Sequence, residues 1–329
     1  MTDAGETKVR IGILGTGFGQ THMRIFNAFP DVEVAGIVGR DEQKTMEIAR
    51  SLGIPGYTRA EILIDDPSID AIDVCLPTAV HADTVIAALS HDKHVFCETP
   101  VAFSVAEADR MAQVASRRGR LLLVALFARF GSEYKHVHEL VESGEPGKPE
   151  YVFASRRTPA IWGEWDENFI ANLMLHDIDI VTWMLGTPRA VTASGLDNQP
   201  GGWKHVVITM EYAEAVAVVE GCGIMPASFP FSTSLRVVGS DGAIDLAWRM
   251  AGNVPESDLI RYPQQGDPEV LSVPGYDPYV AECRYFIDCV QGKADPGLLG
   301  IDTAVESLRA ACAAKESLEQ GGTRISLNR

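Results

Sequence analysis

The chain has 329 residues, of which 46% are hydrophobic and 22% charged, and its formal net charge is −17. This length predicts two domains, and the hydrophobic content is typical of a globular protein with large cores. The negative charge argues against a nucleic-acid partner, because phosphate binding requires clustered Lys and Arg.

The N-terminal sequence and the cysteines indicate a cytoplasmic protein. Residues 1–8 contain no apolar segment of the kind found in signal peptides, and no apolar run reaches the length of a membrane span, so we expect no membrane partner. The six cysteines show no CxxC or Cys/His metal spacing, and several lie inside apolar runs, as buried thiols do in a reducing compartment. The sequence therefore predicts no metal site.

The first predicted strand, residues 9–14, runs into a glycine-rich loop that opens a helical pattern. Such a loop presents backbone N–H groups to an anion, and the helix N-terminus favours negative charge. We predict a dinucleotide site here, against the alternative of a strand–turn–helix that binds nothing. The usual sixth position of the motif holds Gln20 instead of Gly, so the loop is a variant. The predicted cofactor-binding residues of the loop are Gly15, Thr16, Gly17, Phe18 and Gly19.

Apolar runs alternate with helical patterns over the first 126 residues. The predicted strands are 9–14, 32–38, 71–76, 94–97 and 121–126, and the predicted helices are about 21–28, 41–52, 79–90 and 104–118. Strands that alternate with helices form right-handed βαβ units. We therefore predict an α/β fold that begins with a Rossmann domain, a doubly wound parallel sheet over residues 1–126.

The end of the second strand bears on the choice of cofactor. In an NAD site, an acidic residue about 20 residues beyond the loop accepts hydrogen bonds from the ribose 2′-hydroxyl. The matching position is Gly39, and Arg40 follows it with a guanidinium that can pair with a 2′-phosphate. We favour NADP over NAD, with Gly39 and Arg40 as cofactor-binding residues. The alternative is that Arg40 is a solvated loop residue and Asp41 caps the next helix.

The pattern changes after residue 126. We predict a helix at about 132–143, a strand at 150–157, a helix at about 167–185, several alternating strands over 189–248, and closing helices at about 278–291 and 301–320. Alternating strands with one face covered by helices form a mostly antiparallel sheet. Residues 127–329 are therefore predicted to be a second α/β domain, whose C-terminal helices are candidates for packing back on the first.

Two further segments carry a family resemblance. Residues 74–83 read VCLPTAVHAD and residues 93–102 read KHVFCETPVA. With the glycine loop, they resemble the glucose–fructose oxidoreductase / inositol dehydrogenase / rhizopine-catabolism (Gfo/Idh/MocA) family. Additional motifs occur in family order along nearly the whole chain: Arg129-Phe130, the turn at 144–149, residues 176–179 with Trp183, residues 238–242, and the helix from Ala304 to Ser317.

The resemblance implies a Rossmann domain followed by an α/β domain with a large open sheet, which commonly carries homodimer or homotetramer contacts. It also implies NAD(P)-dependent hydride transfer on a carbon bearing oxygen in a sugar, cyclitol or related small polar molecule. Glu98 matches the glutamate of the family's Glu-Lys-Pro signature, and the resemblance implies that Glu98 and Thr99 are cofactor-binding residues. The residues that match the segment lining the nicotinamide side are Leu76, Pro77, Thr78 and His81.

The chain departs from the family at two positions. Thr99 occupies the place of the signature lysine, and a threonine hydroxyl cannot act as a general base near neutral pH. Asn172 stands four residues before His176, where dehydrogenases of the family often have Asp, and Asn cannot ionise. We therefore assign His176, Asn172 and Thr99 as catalytic residues of a noncanonical proton relay around His176, since imidazole titrates in the range required. The alternative is that His176 is a core histidine whose hydrogen bonds are made within the protein.

Arg129, Trp162, Asn172 and His176 are the predicted substrate-binding residues, although Trp162 and the neighbouring Trp165 are equally compatible with a packing role. The leading hypothesis is an NAD(P)-dependent oxidoreductase acting on a C–O or C=N substrate. The alternatives are a redox-neutral sugar-modifying enzyme with tightly bound cofactor, and a non-catalytic dinucleotide or sugar sensor.

Overall fold

A computed structural model describes residues 8–160, 167–198, 202–252 and 254–327. The chain divides into two compact units. The first comprises the chain up to Phe127 together with Asp277–Val305, and the second comprises Ala128–Tyr276 and the chain from Glu306 onward. The segment Asp277–Val305 therefore groups with the first unit, although the sequence-based division placed it after residue 126 in the second domain.

The first unit contains a six-stranded parallel sheet in the order β3-β2-β1-β4-β5-β6. Its strands are β1 Val9–Leu14, β2 Val32–Val38, β3 Gly56–Tyr57, β4 Ala71–Val74, β5 His94–Cys97 and β6 Leu122–Val124. Its helices include α1 Gly19–Ala28, α2 Glu42–Leu52, α3 Glu61–Ile64, α4 His81–Ser90, α5 Val105–Arg118 and α8 Pro278–Val290. The strand order reverses between β1 and β4, as in doubly wound sheets, so the prediction of a Rossmann domain is confirmed.

The central strand shows why the sequence folds in this way. Ile11, Ile13 and Leu14 of β1 are fully buried. Strands of a parallel sheet covered on both faces are expected to be apolar on both sides. The helix ends follow local rules: the Asp41 side chain accepts a hydrogen bond from the Lys44 N–H at the start of α2, and Gly53 ends the helix in the left-handed conformation.

The second unit is built on a nine-stranded sheet in the order β14-β13-β12-β11-β7-β10-β9-β8-β15, with β7 and β10 parallel and the other pairs antiparallel. Its strands are β7 Pro149–Pro159, β8 Ala190–Asn198, β9 Gly202–Glu211, β10 Val216–Met225, β11 Ser232–Gly239, β12 Gly242–Ala251, β13 Val254–Pro263, β14 Glu269–Val270 and β15 Ile325–Ser326. The remaining helices are α6 Ser132–Glu142, α7 Leu175–Leu185 and α9 Ile301–Glu319. The predicted mostly antiparallel sheet is confirmed.

The two faces of this sheet differ. Val152 and Ala154 of β7 are buried in a core that includes Ile178 and Val181 of α7. The alternate positions are half-buried or exposed, and apolar side chains are interspersed there with polar and charged ones, as in the Arg157–Glu220 ion pair. We call this surface the open face, and its half-buried apolar side chains include Tyr151, Phe153, Val207, Val218, Val238 and Ile260.

Within the described ranges, none of the helices combines the length and the apolar character that a membrane span requires.

Candidate functional site

The glycine loop lies at the carboxyl end of β1, next to the point where the strand order reverses. Gly15 has φ = 121°, and a Cβ there would overlap the carbonyl oxygen of Cys75, so only glycine fits. A Cβ on Gly17 would meet no described atom within 4 Å, which leaves open space beside the backbone. Open space at this position is what close approach of a pyrophosphate requires. The Gln20 side chain donates a hydrogen bond of 2.7 Å to the Thr16 carbonyl, so the residue that departs from the motif braces the loop.

The end of β2 has no room for a side chain at the position of the usual acid. A Cβ on Gly39 would overlap the Thr16 methyl group and the Thr45 hydroxyl. The Asp41 carboxylate is already used to cap α2, by a 3.0 Å hydrogen bond from the Lys44 N–H. Arg40 is exposed, and its side chain makes no hydrogen bond or ion pair with any other described residue.

His81 holds two loops at the carboxyl edge of the sheet together. Its Nε2 lies 2.7 Å from the Leu76 carbonyl, and its Nδ1 lies 3.0 Å from the carbonyl of Pro100. Burial lowers the pKa of this histidine, although the carbonyl contacts oppose the shift. Leu76 and Thr78 are half-buried and Pro77 is exposed. The predicted segment after β4 is therefore partly accessible, and the contact of His81 with the Leu76 carbonyl holds it in place.

Glu98 and Thr99 follow β5 at the same edge. The Thr99–Pro100 peptide bond is cis. The Thr99 N–H donates a 3.1 Å hydrogen bond to Glu98 Oε2, which turns the carboxylate back towards its own strand. Burial raises the pKa of Glu98 to about 7, although the nearby His22 opposes the shift.

The sequence-based reasoning singled out Glu98 but missed its neighbours His22, Asp73 and Glu282. The His22 side chain is completely buried, with Nδ1 3.1 Å from Asp73 Oδ2, and Nε2 3.2 Å from Glu98 Oε1 and 4.0 Å from Glu282 Oε1. Burial alone would lower the His22 pKa, but these carboxylates together raise it to about 9. Asp73 carried the one available signal, since an acid in a strand buried on both faces must have a partner.

Within the described ranges, one group of side chains has a metal-ligand arrangement. The ligand-type atoms of His22, Cys75 and Glu98 lie within 4.8 Å of one another. The spacing of these residues along the chain, far apart on three elements, gave no indication of this group.

His176 and Asn172 lie in the second unit. Asn172 is exposed in a π-helical turn, Ile170–Met174, that leads directly into α7, and His176 is half-buried in the first turn of α7. Such turns occur frequently at functional sites. Burial, and secondarily the positive charge of Arg156, lower the His176 pKa to about 3. The proton-relay role of His176 stays a prediction, and this lowered pKa favours a neutral imidazole at physiological pH.

Arg129, a predicted substrate-binding residue, is buried in an ion pair. Its guanidinium is 3% exposed and binds both oxygens of Asp179, with two distances of 2.8 Å. Arg156 pairs in the same way with Asp177, at 2.7 Å from Nε to Oδ2. The two aspartates of α7 thus anchor the helix through buried arginines. Trp162 and Trp165 lie outside the described residues.

Comparison with known proteins identifies the family of this chain. Residues 9–126 match the family described as "Oxidoreductase family, NAD-binding Rossmann fold", and residues 134–245 match the "GFO/IDH/MocA C-terminal domain". The chain is 28% identical to myo-inositol 2-dehydrogenase of Thermotoga maritima, over 95% of this chain and 97% of that protein. It is 30% identical to inositol 2-dehydrogenase 3 of Saccharopolyspora erythraea, over 88% of this chain and 87% of that protein.

A solved structure shares the fold. It is an oxidoreductase from Agrobacterium radiobacter in complex with NAD⁺, L-tartaric acid and magnesium, with a TM-score of 0.85 and 19% identity over 97% of this chain and 98% of that one.

Proposed function

Because the chain belongs to the Gfo/Idh/MocA family of NAD(P)-dependent oxidoreductases, we propose that it is a cytoplasmic dehydrogenase or reductase of a cyclitol or sugar that prefers NADP(H). The observation that carries the proposal is the glycine loop at the strand-order reversal, with open space beside Gly17. The names of the inositol dehydrogenases to which it is similar support the substrate class. When bound, the nicotinamide supplies the hydride.

The preference for NADP(H) rests on the end of β2. An acid at position 39 would overlap Thr16 and Thr45, and the neighbouring Asp41 is engaged as a helix cap. The site therefore lacks the carboxylate that recognises the 2′-hydroxyl of NAD. The exposed Arg40 guanidinium is suited to a 2′-phosphate, because it presents several donors in a planar fork.

The low pKa of His176 changes its proposed role. A histidine with a pKa of about 3 is neutral at physiological pH, so it is a poor proton donor but can still hydrogen-bond an oxygen atom. We propose that His176 and the exposed Asn172 orient the reacting oxygen of the substrate. We propose further that the Thr99 hydroxyl contributes a hydrogen bond on the cofactor side.

We also propose a homodimer or homotetramer that forms through the open face. The open face combines half-buried apolar side chains with polar and charged ones, a mixture that is typical of protein–protein interfaces.

The test is a set of dinucleotide titrations, followed by a screen of cyclitols, keto-sugars and imines monitored at the nicotinamide absorbance. NADPH should bind more tightly than NADH, and Arg40→Ala should weaken NADPH binding by about tenfold, the effect of losing one charge-assisted contact, with little effect on NADH. Arg50→Ala removes the same charge from the far end of α2 and should change neither affinity. Tighter binding of NADH by the unmodified protein would overturn the NADP assignment. Bound dinucleotide without hydride exchange would favour a sensor.

A further inference from the structure

Beneath the glycine loop, side chains that can bind a metal ion converge from four elements of the first unit. His22 lies in α1, Cys75 directly follows β4, Glu98 directly follows β5, and Glu282 lies in α8. We call these four residues the His22 site. The ligand-type atoms of the first three lie within 4.8 Å of one another, and Glu282 Oε1 lies 4.0 Å from His22 Nε2.

The polar atoms that face one another in the His22 site lack hydrogen-bond partners among the described residues. They are His22 Nε2, Glu98 Oε1 and both carboxylate oxygens of Glu282. The side chains of His22 and Glu282 are completely buried, so solvent does not reach them. A buried polar atom without a partner is unfavourable, and several such atoms around one point indicate that another group binds between them.

The spacing of these atoms fits one metal ion. His22 Nε2 and Glu98 Oε1 are 3.2 Å apart, yet the pair does not have the geometry of a hydrogen bond. Two ligand atoms bound at about 2.0–2.2 Å to one tetrahedral ion are about 3.3–3.5 Å apart. The pair therefore has the separation of two ligands of the same ion. The 4.0 Å between His22 Nε2 and Glu282 Oε1 would have to shorten by roughly 0.5 Å for Glu282 to join them.

Asp73 holds the His22 ring in the orientation that a metal ligand needs. Its Oδ2 lies 3.1 Å from His22 Nδ1, so in the neutral imidazole Nδ1 carries the proton and Nε2 is free to bind an ion. Metal-binding histidines usually donate their other ring N–H to a carboxylate or carbonyl in this way. The ring also stacks on Phe96, with centroids 5.5 Å apart. The imidazole is therefore fixed in place before an ion binds.

The donor set selects zinc among the common divalent ions. Mg²⁺ and Ca²⁺ prefer oxygen ligands, whereas Zn²⁺ binds thiolate sulfur, imidazole nitrogen and carboxylate oxygen together. A neutral imidazole with the Cys75 thiolate and the Glu98 carboxylate carries two negative charges, which one divalent ion neutralises. Cys75 and Glu98 are only partly buried, so the ion has a path into the site.

We propose that the His22 site binds a Zn²⁺ ion, with His22, Cys75 and Glu98 as ligands and Glu282 as the fourth. Four protein ligands leave no open position, so the ion is structural and not catalytic. The Cys75 thiol, which donates a 3.3 Å hydrogen bond to Asp73 Oδ2, gives up its proton to solvent when the ion binds, and no group is oxidised or reduced. The raised pKa values of His22 and Glu98 belong to the metal-free protein. The inference does not depend on the proposed function.

The zinc ion would connect the glycine loop to the rest of the first unit. A Cβ on Gly15 would lie 3.3 Å from the Cys75 Cβ, and a Cβ on Gly19 would lie 3.2 Å from it, so Cys75 packs against both ends of the loop. His22 follows the loop in the first turn of α1, and Phe18 lies edge-on to its ring, with centroids 5.2 Å apart. We therefore expect zinc to stabilise the part of the fold that carries the loop.

The experiment begins with elemental analysis of the full chain, purified without a histidine tag and without chelators. We expect stoichiometric zinc. After dialysis against a chelator, stoichiometric Zn²⁺ should raise the temperature of thermal unfolding, because the ion binds the folded state, and the same amount of Mg²⁺ should not. Co²⁺ bound in place of zinc should give the absorption bands of tetrahedral cobalt and a thiolate-to-cobalt charge-transfer band.

Matched variants test each part of the site. Cys75→Ser should remove the charge-transfer band, whereas Cys289→Ser, which removes a thiol from α8, should retain it. Asp73→Asn should lower the Zn²⁺ affinity by about 10–100-fold, the usual effect of losing the carboxylate behind a metal-binding histidine. Glu282→Gln should lower the Zn²⁺ affinity at least as much without lowering the unfolding temperature of the metal-free protein. Glu61→Gln, at an exposed position of α3, should behave as the unmodified protein.

Two results would overturn the zinc site while leaving the proposed function intact. One is a purified protein without zinc whose unfolding temperature does not respond to added Zn²⁺. The other is Zn²⁺ binding that is unchanged in both Cys75→Ser and Glu282→Gln, because the ion would then lie elsewhere on the chain. Failure of every dinucleotide to bind the zinc-loaded protein would overturn the proposed function and leave the zinc site standing.

Discussion

Substitution of Gly39 tests whether the end of β2 has room for a side chain. A Cβ at this position would overlap the Thr16 methyl group and the Thr45 hydroxyl. Thr45 is completely buried, and its hydroxyl donates a 2.6 Å hydrogen bond to the Asp41 carbonyl, so it cannot rotate away without losing that bond. Forcing one extra carbon into such a position lowers the free energy of unfolding by about 1–3 kcal/mol. Replacing Gly with Ala also reduces the entropy of the unfolded chain, which offsets about 0.4–1 kcal/mol of this loss.

We therefore expect Gly39→Ala to lower the free energy of unfolding by about 1–2 kcal/mol, measured by urea denaturation. In a Thr16→Ser/Thr45→Ala background both overlapping groups are gone, so the same substitution should be neutral or slightly stabilising. Gly17→Ala is the matched control, because its Cβ would enter open space, and it should change stability little while weakening dinucleotide binding. An equal loss from Gly39→Ala in both backgrounds would refute the steric argument.

Two other predictions concern the buried His22, in the metal-free protein, and the open face. Because the His22 pKa is raised from 6.5 to about 9, its contribution to stability is fully present below pH 6.5 and is lost as the pH rises through 9. The free energy of unfolding should fall by about 3 kcal/mol over this range, and His22→Gln should flatten the dependence; an unchanged slope in the variant would exclude His22 as its source. Phe153→Asp, on the open face, should shift the protein to a monomer in sedimentation experiments, whereas Ile62→Asp at an exposed position of α3 should not. A monomeric unmodified protein would refute the proposed association.

The spacing of apolar residues along the sequence predicted most of the helices and strands, because burial determines which positions must be apolar. The strands of the parallel sheet are apolar on both faces, and the helices between them have caps that the sequence displays, such as Asp41 and Gly53. The two-residue strand β3 was not predicted, since two residues cannot show a period. Strand β13 was also missed, because only Leu259 among its described residues is buried and the strand shows no alternation.

The candidate site was predictable only where its residues are contiguous. The glycine loop follows a strand in the sequence and lies beside Cys75 in the fold. His22 and the carboxyl groups of Asp73, Glu98 and Glu282 lie in or next to four distant elements, so no local pattern could bring them together. The low His176 pKa depends on burial and on Arg156, a residue of β7, which lies 20 positions earlier in the chain. Arg129 lay in a family motif, but its partner Asp179 was not evident without the fold.

If Thr99 stands in the place of the family's signature lysine, as the sequence predicts, the missing positive charge and the raised pKa of Glu98 in the metal-free protein have a common electrostatic explanation. A positive charge within about 4–6 Å lowers the pKa of a carboxyl group by about 1–3 units, so an ammonium beside Glu98 would keep it ionised at neutral pH. Thr99 supplies a backbone N–H to Glu98 Oε2 but no charge, and burial then raises the Glu98 pKa to about 7. The loss of the lysine does not imply the loss of proton transfer, because a carboxylic acid with a pKa near 7 is as well matched to neutral pH as an imidazole.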